Sequence, residues 1–336
     1  MTQFRLGTRG SQLALWQANA VASRLAAAGG PPCRIVVIKT TGDQRQDAPL
    51  SDIGGKRLFV KEIEDALLRR EIDLAVHSSK DMPAVLPDGL AIAGVLPRED
   101  PLDAVVLPIN HQPSALSPQP SAMASVDDLV AHLGQSPSIG TGSVRRIAQL
   151  TRLFPGARFT PIRGNLDTRL RKLDDGAHGS IDALVLAAAG LRRLGFASRI
   201  SLALAATACV PAPGQGIVAV ETREDDEPVR SAVERISDPA AAAALTAERT
   251  LVAALGGGCQ TPVGALATPD GGDMLDLIAV VVALDGSRAV RGRESAPCAD
   301  AAALGARVAQ ALLAEGAGDI LDEARHAQGA VEGIQP

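Results

Sequence analysis

Short β-branched runs alternate with amphipathic helical patterns through the first two-thirds of this chain of 336 residues. The predicted strands are residues 34–38, 72–76, 138–141, 158–162 and 183–186. Between them, helical periodicity covers residues 59–70, a segment from 144 onward, and 166–173. Strand–helix alternation is typical of parallel sheets that carry helices on both faces. The sequence therefore predicts an α/β fold with parallel-dominated sheets.

The last third of the chain has a different pattern. An Ala-rich helix is predicted at 240–255, and the glycines of 256–258 end it. Two apolar runs, 275–284 and 288–293, are joined by an Asp-Gly pair, which is a hairpin signal. A further helix is predicted at 301–315. This region predicts a smaller C-terminal α+β domain with an antiparallel sheet.

Two segments interrupt the alternation. Residues 108–125 contain four prolines among Ser, Gln and Asn, so they cannot hold a central strand or a long helix. We interpret them as an exposed insertion between domains. The run from Pro211 to Gly216 is rigid and punctuated by glycine, which favours a hinge between apolar stretches.

Composition excludes several classes of protein. A net charge of -5 and an aromatic content of 2% disfavour nucleic-acid binding. No apolar run reaches the roughly 18–20 residues of a membrane helix, and the N-terminal residues lack a signal-peptide pattern. We therefore expect a cytoplasmic protein without a membrane partner. The cysteines are far apart and no His pair has metal-ligand spacing, so no metal site is predicted.

Basic residues lie at predicted strand ends and in or just before the first turns of predicted helices. They comprise Arg9, Lys56, Lys80, Arg145, Arg146, Arg163, Arg169, Arg192 and Arg193. In open α/β sheets, the carboxyl ends of strands and the following helix N-termini form the ligand crevice. A single helix arginine is usually a solvated residue, but this repeated placement predicts a small polyanionic ligand, which guanidinium forks bind through paired hydrogen bonds.

Two residues could carry chemistry within such a crevice. Asp81 follows Lys80 just after a predicted strand, where a carboxylate could act as a general acid–base group or simply cap its own loop. Cys259 follows three glycines, which let a bulky group approach the sulfur. It could be a nucleophile, a covalent attachment point or a buried structural cysteine.

Seven segments together resemble the porphobilinogen deaminase (hydroxymethylbilane synthase) family. They are residues 6–17 (LGTRGSQLALWQ), 54–62 (GGKRLFVKE), 75–83 (AVHSSKDMP), 163–165 (RGN), 189–191 (AGL), 213–216 (PGQG) and 257–260 (GGCQ). Each segment is weak alone, but their order and spacing are specific, and the resemblance as a whole extends from Arg5 to about Gly316. Ser79 and Gly142 stand where the family usually has methionine and serine.

This resemblance implies two lobes like those of periplasmic binding proteins and a third domain. The implied boundaries are 1–100 with 214–236 for domain 1, 101–213 for domain 2, and 237–336 for domain 3. It also implies a dipyrromethane cofactor joined to Cys259 by a thioether. Four porphobilinogen molecules would be added to it head to tail with loss of ammonia, and hydrolysis would release hydroxymethylbilane. We expect a monomer.

The resemblance also implies roles for individual residues. Asp81 would protonate the departing amine, stabilise the cationic pyrrole nitrogens and assist removal of the ring proton. The residues implied in substrate binding are Arg9, Ser11, Arg163, Arg169, Arg193 and Phe59, with Phe59 covering the active site. Those implied in holding the cofactor carboxylates are Lys80, Ser143, Arg145 and Arg146.

Two other functions fit part of the sequence. A two-lobed binding module for a small polycarboxylate, without catalysis, would use the crevice arginines and the hinge, but it gives Asp81 and Cys259 no role. A Schiff-base enzyme would use Lys56 or Lys80, and borohydride trapping would detect it.

Overall fold

The protein is described by a computed structural model that covers residues 3–44, 60–109, 123–176, 181–258 and 261–332. The strands are β1 (Phe4–Thr8), β2 (Cys33–Val37), β3 (Leu74–Ser78), β4 (Leu90–Val95), β5 (Asp103–Val106), β6 (Ser138–Gly140), β7 (Arg158–Thr160), β8 (Ala183–Ala187), β9 (Leu202–Leu204), β10 (Val218–Arg223), β11 (Val263–Pro269), β12 (Met274–Val282) and β13 (Ala289–Pro297).

Helices connect and cover these strands. They are α1 (Gln12–Ala27), α2 (Thr41–Gln44), α3 (Lys61–Leu68), α4 (Val126–Leu133), α5 (Val144–Leu153), α6 (Leu166–Asp174), α7 (Ala188–Arg193), α8 (Glu227–Glu234), α9 (Pro239–Ala254), α10 (Ala301–Ala314) and α11 (Ala317–Glu332).

The first lobe is a five-stranded sheet in the order β2-β1-β3-β10-β4. Strands β2, β1 and β3 are parallel, whereas β10 is antiparallel to both of its neighbours. Helices α1 and α8 bury residues such as Val21 and Val229 against one face, and α3 buries Ile63 and Leu67 against the other. Because apolar burial is the main stabilising contribution, this two-sided covering fixes the sheet as the core of the lobe.

The second lobe repeats this plan. Its sheet has the order β7-β6-β8-β5-β9, with β6 parallel to β7 and β8, and β5 antiparallel to β8 and β9. Helices α6 and α7 cover one face, where Leu170 and Leu191 are buried. Helices α4 and α5 cover the other face with Leu129 and Phe154.

The third unit is the antiparallel sheet β11-β12-β13. Helices α9, α10 and α11 pack on one face of this sheet through residues such as Leu251, Leu304 and Leu321. The other face contacts α5 of the second lobe, where Val280 packs near Ala148. The predicted Asp285-Gly286 turn joins β12 to β13, and Gly286 has the positive φ of 73° that such a turn requires.

The chain crosses between the two lobes twice, after β4 and before β10. The crossings run side by side, since Glu99 N donates to the Gly216 carbonyl at 3.0 Å. Gly216 has φ of 88°, and a Cβ there would lie 2.2 Å from the Glu99 carbonyl oxygen. Only glycine allows this close approach of the two backbones.

The predicted fold class is confirmed: two α/β lobes are followed by a smaller α+β unit. Both five-stranded sheets are mixed. The strand that follows each crossing, β5 in the second lobe and β10 in the first, runs antiparallel to its neighbours. The third strand begins at Leu74, two residues later than predicted, because the Asp73 side chain accepts hydrogen bonds from Arg5. Strands β4, β5, β9, β10 and β11 were not predicted from the sequence. Of these, β11 pairs with β12 along its whole length.

Candidate functional site

Several of the predicted crevice residues lie where strands end and helices begin. Ser11 Oγ accepts from Ala14 N at 3.2 Å and starts α1 directly after Arg9. In the other lobe, Ser143 Oγ accepts from Arg146 N at 3.5 Å and starts α5. Both helix N-termini therefore direct backbone N–H groups and arginines toward the crevice, an arrangement that attracts anions.

Asp81 ends a short 3₁₀ turn, Ser79–Asp81, that follows β3 directly. Its side chain is half-buried, and within the described part of the chain it accepts no hydrogen bond. The charge of Asp81 acts on both Lys80 and Arg169. The carboxylate is thus held in a cationic environment with its oxygens available to a ligand.

Arg169 lies close to several of the other residues that were predicted to bind substrate or cofactor. Burial lowers the pKa of Arg169 to about 10, and the positive charges of Arg146, Arg163 and Arg9 add to that effect against the opposing charge of Asp81. Its Nε donates to the Gly164 carbonyl at 2.8 Å, which fixes the guanidinium near the start of α6. The structure therefore brings predicted residues from both lobes together around Asp81.

Arg145 and Arg146 are both buried, with 4% and 6% of their surfaces exposed. They share a carboxylate that was not predicted from the sequence, that of Asp103 at the start of β5. Arg145 Nη1 lies 2.6 Å from Asp103 Oδ2, and Arg146 Nη2 lies 2.7 Å from Oδ1. Burial alone would raise the pKa of Asp103, but the two arginines outweigh it and hold that pKa far below its usual range. Asp103 is therefore charged at every physiological pH.

Lys80 faces this group from the first lobe. Its Nζ donates to Gln215 Oε1 at 3.3 Å, and Gln215 Nε2 donates to Asp103 Oδ1 at 3.0 Å. Burial, together with the charges of Arg146 and Arg145, lowers the pKa of Lys80 to about 8 against the opposing charges of Asp81 and Asp103. A bound carboxylate would favour the protonated amine.

Several residues that were predicted to hold the cofactor line one cavity at the junction of the three units. It is lined by Lys80, Ser143 and Arg145 from the two lobes and by Gly258 and Thr261 from the third unit. Cys259 lies between Gly258 and Thr261 in the sequence and is outside the described residues, as are Phe59 and Lys56. The insertion 108–125 is described only at its ends.

Arg249, on α9, lines the same cavity and was not predicted. Its Nη2 donates to the Ala84 carbonyl at 2.9 Å. On sequence alone, Arg249 has the position of an ordinary helix arginine, so no local pattern could have identified it. Asp103 did carry a signal, since it is an acidic residue inside the apolar run 102–107.

The remaining predicted residue, Arg193, ends α7 and donates from Nη2 to the Gly216 carbonyl at 2.7 Å. Burial lowers its pKa. A separate cleft of about 540 Å³ lies between α5 and the β12–β13 turn, and none of the predicted site residues lines it.

Two kinds of feature are missing from the described residues. None of their helices is long and apolar enough to cross a membrane. No group of three or more His, Cys, Asp or Glu side chains among them could hold a metal ion.

Comparison with known proteins gives a consistent result. Residues 4–231 match the family model "Porphobilinogen deaminase, dipyromethane cofactor binding domain", and residues 242–314 match "Porphobilinogen deaminase, C-terminal domain". The porphobilinogen deaminase of Geotalea daltonii is 43% identical over 324 residues, which cover 96% of this chain and 95% of that protein. That of Geobacter metallireducens is 44% identical over 322 residues, covering 96% and 94%.

Solved structures with a similar chain path are more distant. The VFT2 domain of BvgS from Bordetella pertussis has a TM-score of 0.39 at 18% identity, over 70% of this chain and 86% of that one. DctP7, an extracytoplasmic solute receptor from the same organism that binds pyroglutamic acid, has a TM-score of 0.37 at 12% identity, over 70% and 77%.

Proposed function

The chain belongs to the porphobilinogen deaminase family, and we propose that its crevice carries out the family's reaction with the residues described above. The enzyme is a transferase, a hydroxymethylbilane synthase of tetrapyrrole biosynthesis. Each of four condensations forms one carbon–carbon bond between pyrrole rings and releases one ammonia. One water then hydrolyses the product from the enzyme as hydroxymethylbilane.

The observation that carries the residue assignment is the convergence on Asp81. Lys80 of the first lobe and Arg169 of the second both interact electrostatically with Asp81. Arg146 acts on both of these cations, and Arg163 and Arg9 act on Arg169. Every porphobilinogen carries an acetate and a propionate, so a growing chain accumulates carboxylates. Charge-assisted hydrogen bonds to such groups contribute ~1.5–3 kcal/mol each. A crevice rich in arginine, with one acid at its centre, suits this substrate.

The donor set also fits a dipyrromethane attached to Cys259, which when bound supplies the ring onto which the chain grows. Arg145 Nε is buried and finds no hydrogen-bond partner within the described residues. Arg145 lines the same cavity as Lys80 and Ser143, beside the residues that flank Cys259. Lys80, Ser143, Arg145 and Arg146 would therefore hold the cofactor carboxylates.

The remaining roles belong to groups that touch the incoming ring. Arg9, Ser11, Arg163 and Arg169 would bind its carboxylates, Arg193 would act beside them, and Phe59 would cover the site. Asp81 would give a proton to the departing amine and then accept hydrogen bonds from pyrrole nitrogens, which suits a carboxylate that accepts no other hydrogen bond from the described residues. The same carboxylate would later take up the proton of the reacting ring carbon.

We also propose the domain boundaries predicted above and a monomeric, cytoplasmic enzyme without a nucleic-acid partner. The net charge of -5 disfavours binding to a polyanion. Sedimentation velocity would test the oligomeric state.

Intact mass and a product assay test the function. We expect the purified chain to be heavier than its sequence by two pyrrole units, with the added mass on the Cys259 peptide. The same sample should convert porphobilinogen to hydroxymethylbilane. Cys259→Ser should carry no added mass and little activity, whereas Cys33→Ala, Cys209→Ala and Cys298→Ala should remain active. A fully active chain without added mass would refute the cofactor assignment.

A further inference from the structure

We propose that Asp103 is a positioning residue for the carboxylate-binding cations: it fixes Arg145 and Arg146 side by side and, through Gln215, aligns them with Lys80. This inference rests on the proposed function of those three cations. It adds a residue that does not touch the ligand itself.

The Asp103 carboxylate is fully occupied by internal donors. Its Oδ1 accepts from Arg145 Nη2 at 3.2 Å, from Arg146 Nε at 2.9 Å and Nη2 at 2.7 Å, and from Gln215 Nε2 at 3.0 Å. Its Oδ2 accepts from Arg145 Nη1 at 2.6 Å and from the Cys209 thiol at 3.4 Å. Asp103 is 0% exposed. It therefore has no free lone pair or path for a direct contact with substrate.

The same contacts determine which arginine donors remain for a ligand. Arg145 Nη1 also donates to the Val210 carbonyl at 2.9 Å, and Arg146 Nη1 donates to the Val185 carbonyl at 2.8 Å. These backbone anchors and Asp103 lock both guanidiniums in orientation. Arg145 Nε is left without a partner among the described residues, in a side chain that lines the cofactor cavity. Asp103 and the two backbone carbonyls thus determine which donors of the two arginines are already engaged.

The balance of charges is a second reason to assign Asp103 a positioning role. Two buried guanidiniums next to each other repel and lose hydration, which is costly unless a counter-charge is present. One carboxylate against two guanidiniums makes burial possible and still leaves one net positive charge. A second carboxylate would cancel the attraction for a ligand carboxylate. Without any carboxylate, the two arginines would repel each other and separate.

Gln215 extends the alignment across the lobes. It belongs to the returning crossing, and its Nε2 donates to both Asp103 and the Pro101 carbonyl, at 3.0 and 2.7 Å. Its Oε1 accepts from Lys80 Nζ at 3.3 Å. The Gln215 amide therefore links Lys80 of the first lobe to the carboxylate that holds Arg145 and Arg146 of the second.

The test compares Asp103→Asn with a matched control, Asp73→Asn. Asp73 is also a buried aspartate (3% exposed), and it is paired with Arg5 and Arg223. It precedes the N-terminal end of β3, whereas Lys80 and Asp81 follow the C-terminal end of that strand. Both variants lose a buried ion pair, so both should melt at lower temperature than the wild-type enzyme. The measured quantity is the fraction of folded protein that carries the cofactor mass, determined by size exclusion, circular dichroism and intact mass.

We expect Asp73→Asn to be loaded like the wild-type protein and Asp103→Asn to be loaded at least tenfold less. Asp103→Glu, which keeps the charge, should be loaded to an intermediate degree. Equal loading of Asp103→Asn and Asp73→Asn would overturn the inference. If Asp103→Asn gives no folded protein, Asp103→Glu decides: loading below that of Asp73→Asn supports the inference, and equal loading overturns it. Failure of the proposed function is a separate result, namely a wild-type chain without added mass or deaminase activity.

Discussion

The guanidinium carbon of Arg193 lies 5.3 Å from the centroid of the Trp16 ring. Arg193 is on α7 of the second lobe, and Trp16 is on α1 of the first. Arg193 also donates to the Gly216 carbonyl in the returning crossing. One side chain therefore contacts both lobes and the segment that joins them.

Trp16→Ala should weaken catalysis modestly through Arg193. A cation–π contact at an exposed site contributes ~0.5–1 kcal/mol, which corresponds to a roughly two- to fivefold loss in kcat/KM. Trp16 is the single tryptophan of the chain, so its fluorescence reports this contact directly. Arg193→Gln should change the emission, whereas Arg192→Gln, at the exposed neighbour, should not. Identical spectra for the two arginine variants would contradict the contact.

Asp81 should be the principal acid–base residue. Asp81→Ala should lose at least ~10²-fold in kcat, the usual contribution of general acid–base catalysis. Asp81→Asn keeps the shape without the charge and should resemble Asp81→Ala, while Asp81→Glu should retain more activity. Each variant is first shown by mass to carry cofactor, and Asp88→Asn, an exposed aspartate shortly after it, serves as the control. Equal kcat for Asn and Glu would mean that carboxylate charge is not what Asp81 provides.

The crevice arginines should separate into two phenotypes. Arg145→Leu and Arg146→Leu should yield chains without the cofactor mass, because these residues hold the cofactor carboxylates. Arg163→Leu and Arg169→Leu should carry the mass but show a raised KM or stop at intermediate chain lengths, visible as a ladder of adducts. Arg171→Leu, exposed on the same helix as Arg169, should elongate normally. Normal loading and elongation in all four crevice variants would refute the ligand assignment.

The lowered pKa of Lys80 predicts that the stability of the cofactor-free protein depends on pH. Its pKa falls from an ordinary 10.5 to about 8 in the folded chain. Between these values the unfolded chain binds more protons, so stability should rise with pH there. Below about pH 8 the buried ammonium should lower the free energy of unfolding by roughly 1–3 kcal/mol, because a tenfold change in a protonation equilibrium corresponds to ~1.4 kcal/mol.

The measurement is the unfolding free energy from pH 7 to 10.5 in a Cys259→Ala background, which cannot attach the cofactor. Adding Lys80→Met should stabilise this protein at pH 7, and the advantage should shrink as the pH rises above 8. A difference between the two proteins that stays constant over the range would show that Lys80 does not titrate at a lowered pKa.

Glu248 should anchor the third unit to both crossings. It is 0% exposed and accepts from Arg98 Nη1 at 2.6 Å, Gly214 N at 2.5 Å and Ala267 N at 2.7 Å. Glu248→Gln leaves Arg98 without its counter-charge, and breaking a buried pair in this way costs ~3–5 kcal/mol. Chemical denaturation should detect this loss. Glu323→Gln, in the exposed pair with Arg288, should change stability by less than ~1 kcal/mol.

Much of the local structure could be predicted because it depends on periodicity. The run 183–186 and the patterns at 166–173 and 301–315 formed the predicted strand and helices within a residue at each end. The crevice arginines could also be anticipated, since their positions after strand ends are visible along the chain. Strand β11 was missed because its neighbouring prolines and glycines obscure the alternation between apolar and polar residues.

Asp103 could not be assigned from its own surroundings. Its arginine partners lie 42 and 43 residues away, and Gln215 lies 112 residues away. Its place inside an apolar run marks Asp103 as unusual, but that run does not reveal that the carboxylate neutralises two guanidiniums. The contact of Arg193 with Trp16 joins two helices of different lobes and was equally inaccessible.

The sequence by itself determined about half of the strands, the longer periodic helices, the positions of the cations along the chain and, through its motifs, the family. These features depend on neighbours within a few residues or on the order of short motifs. Only the tertiary structure decided that β10 returns antiparallel, that Asp103 holds Arg145 and Arg146, and that Lys80 is buried enough to titrate near pH 8. Ion pairing and desolvation depend on distance and burial in space, and only the folded chain sets those distances.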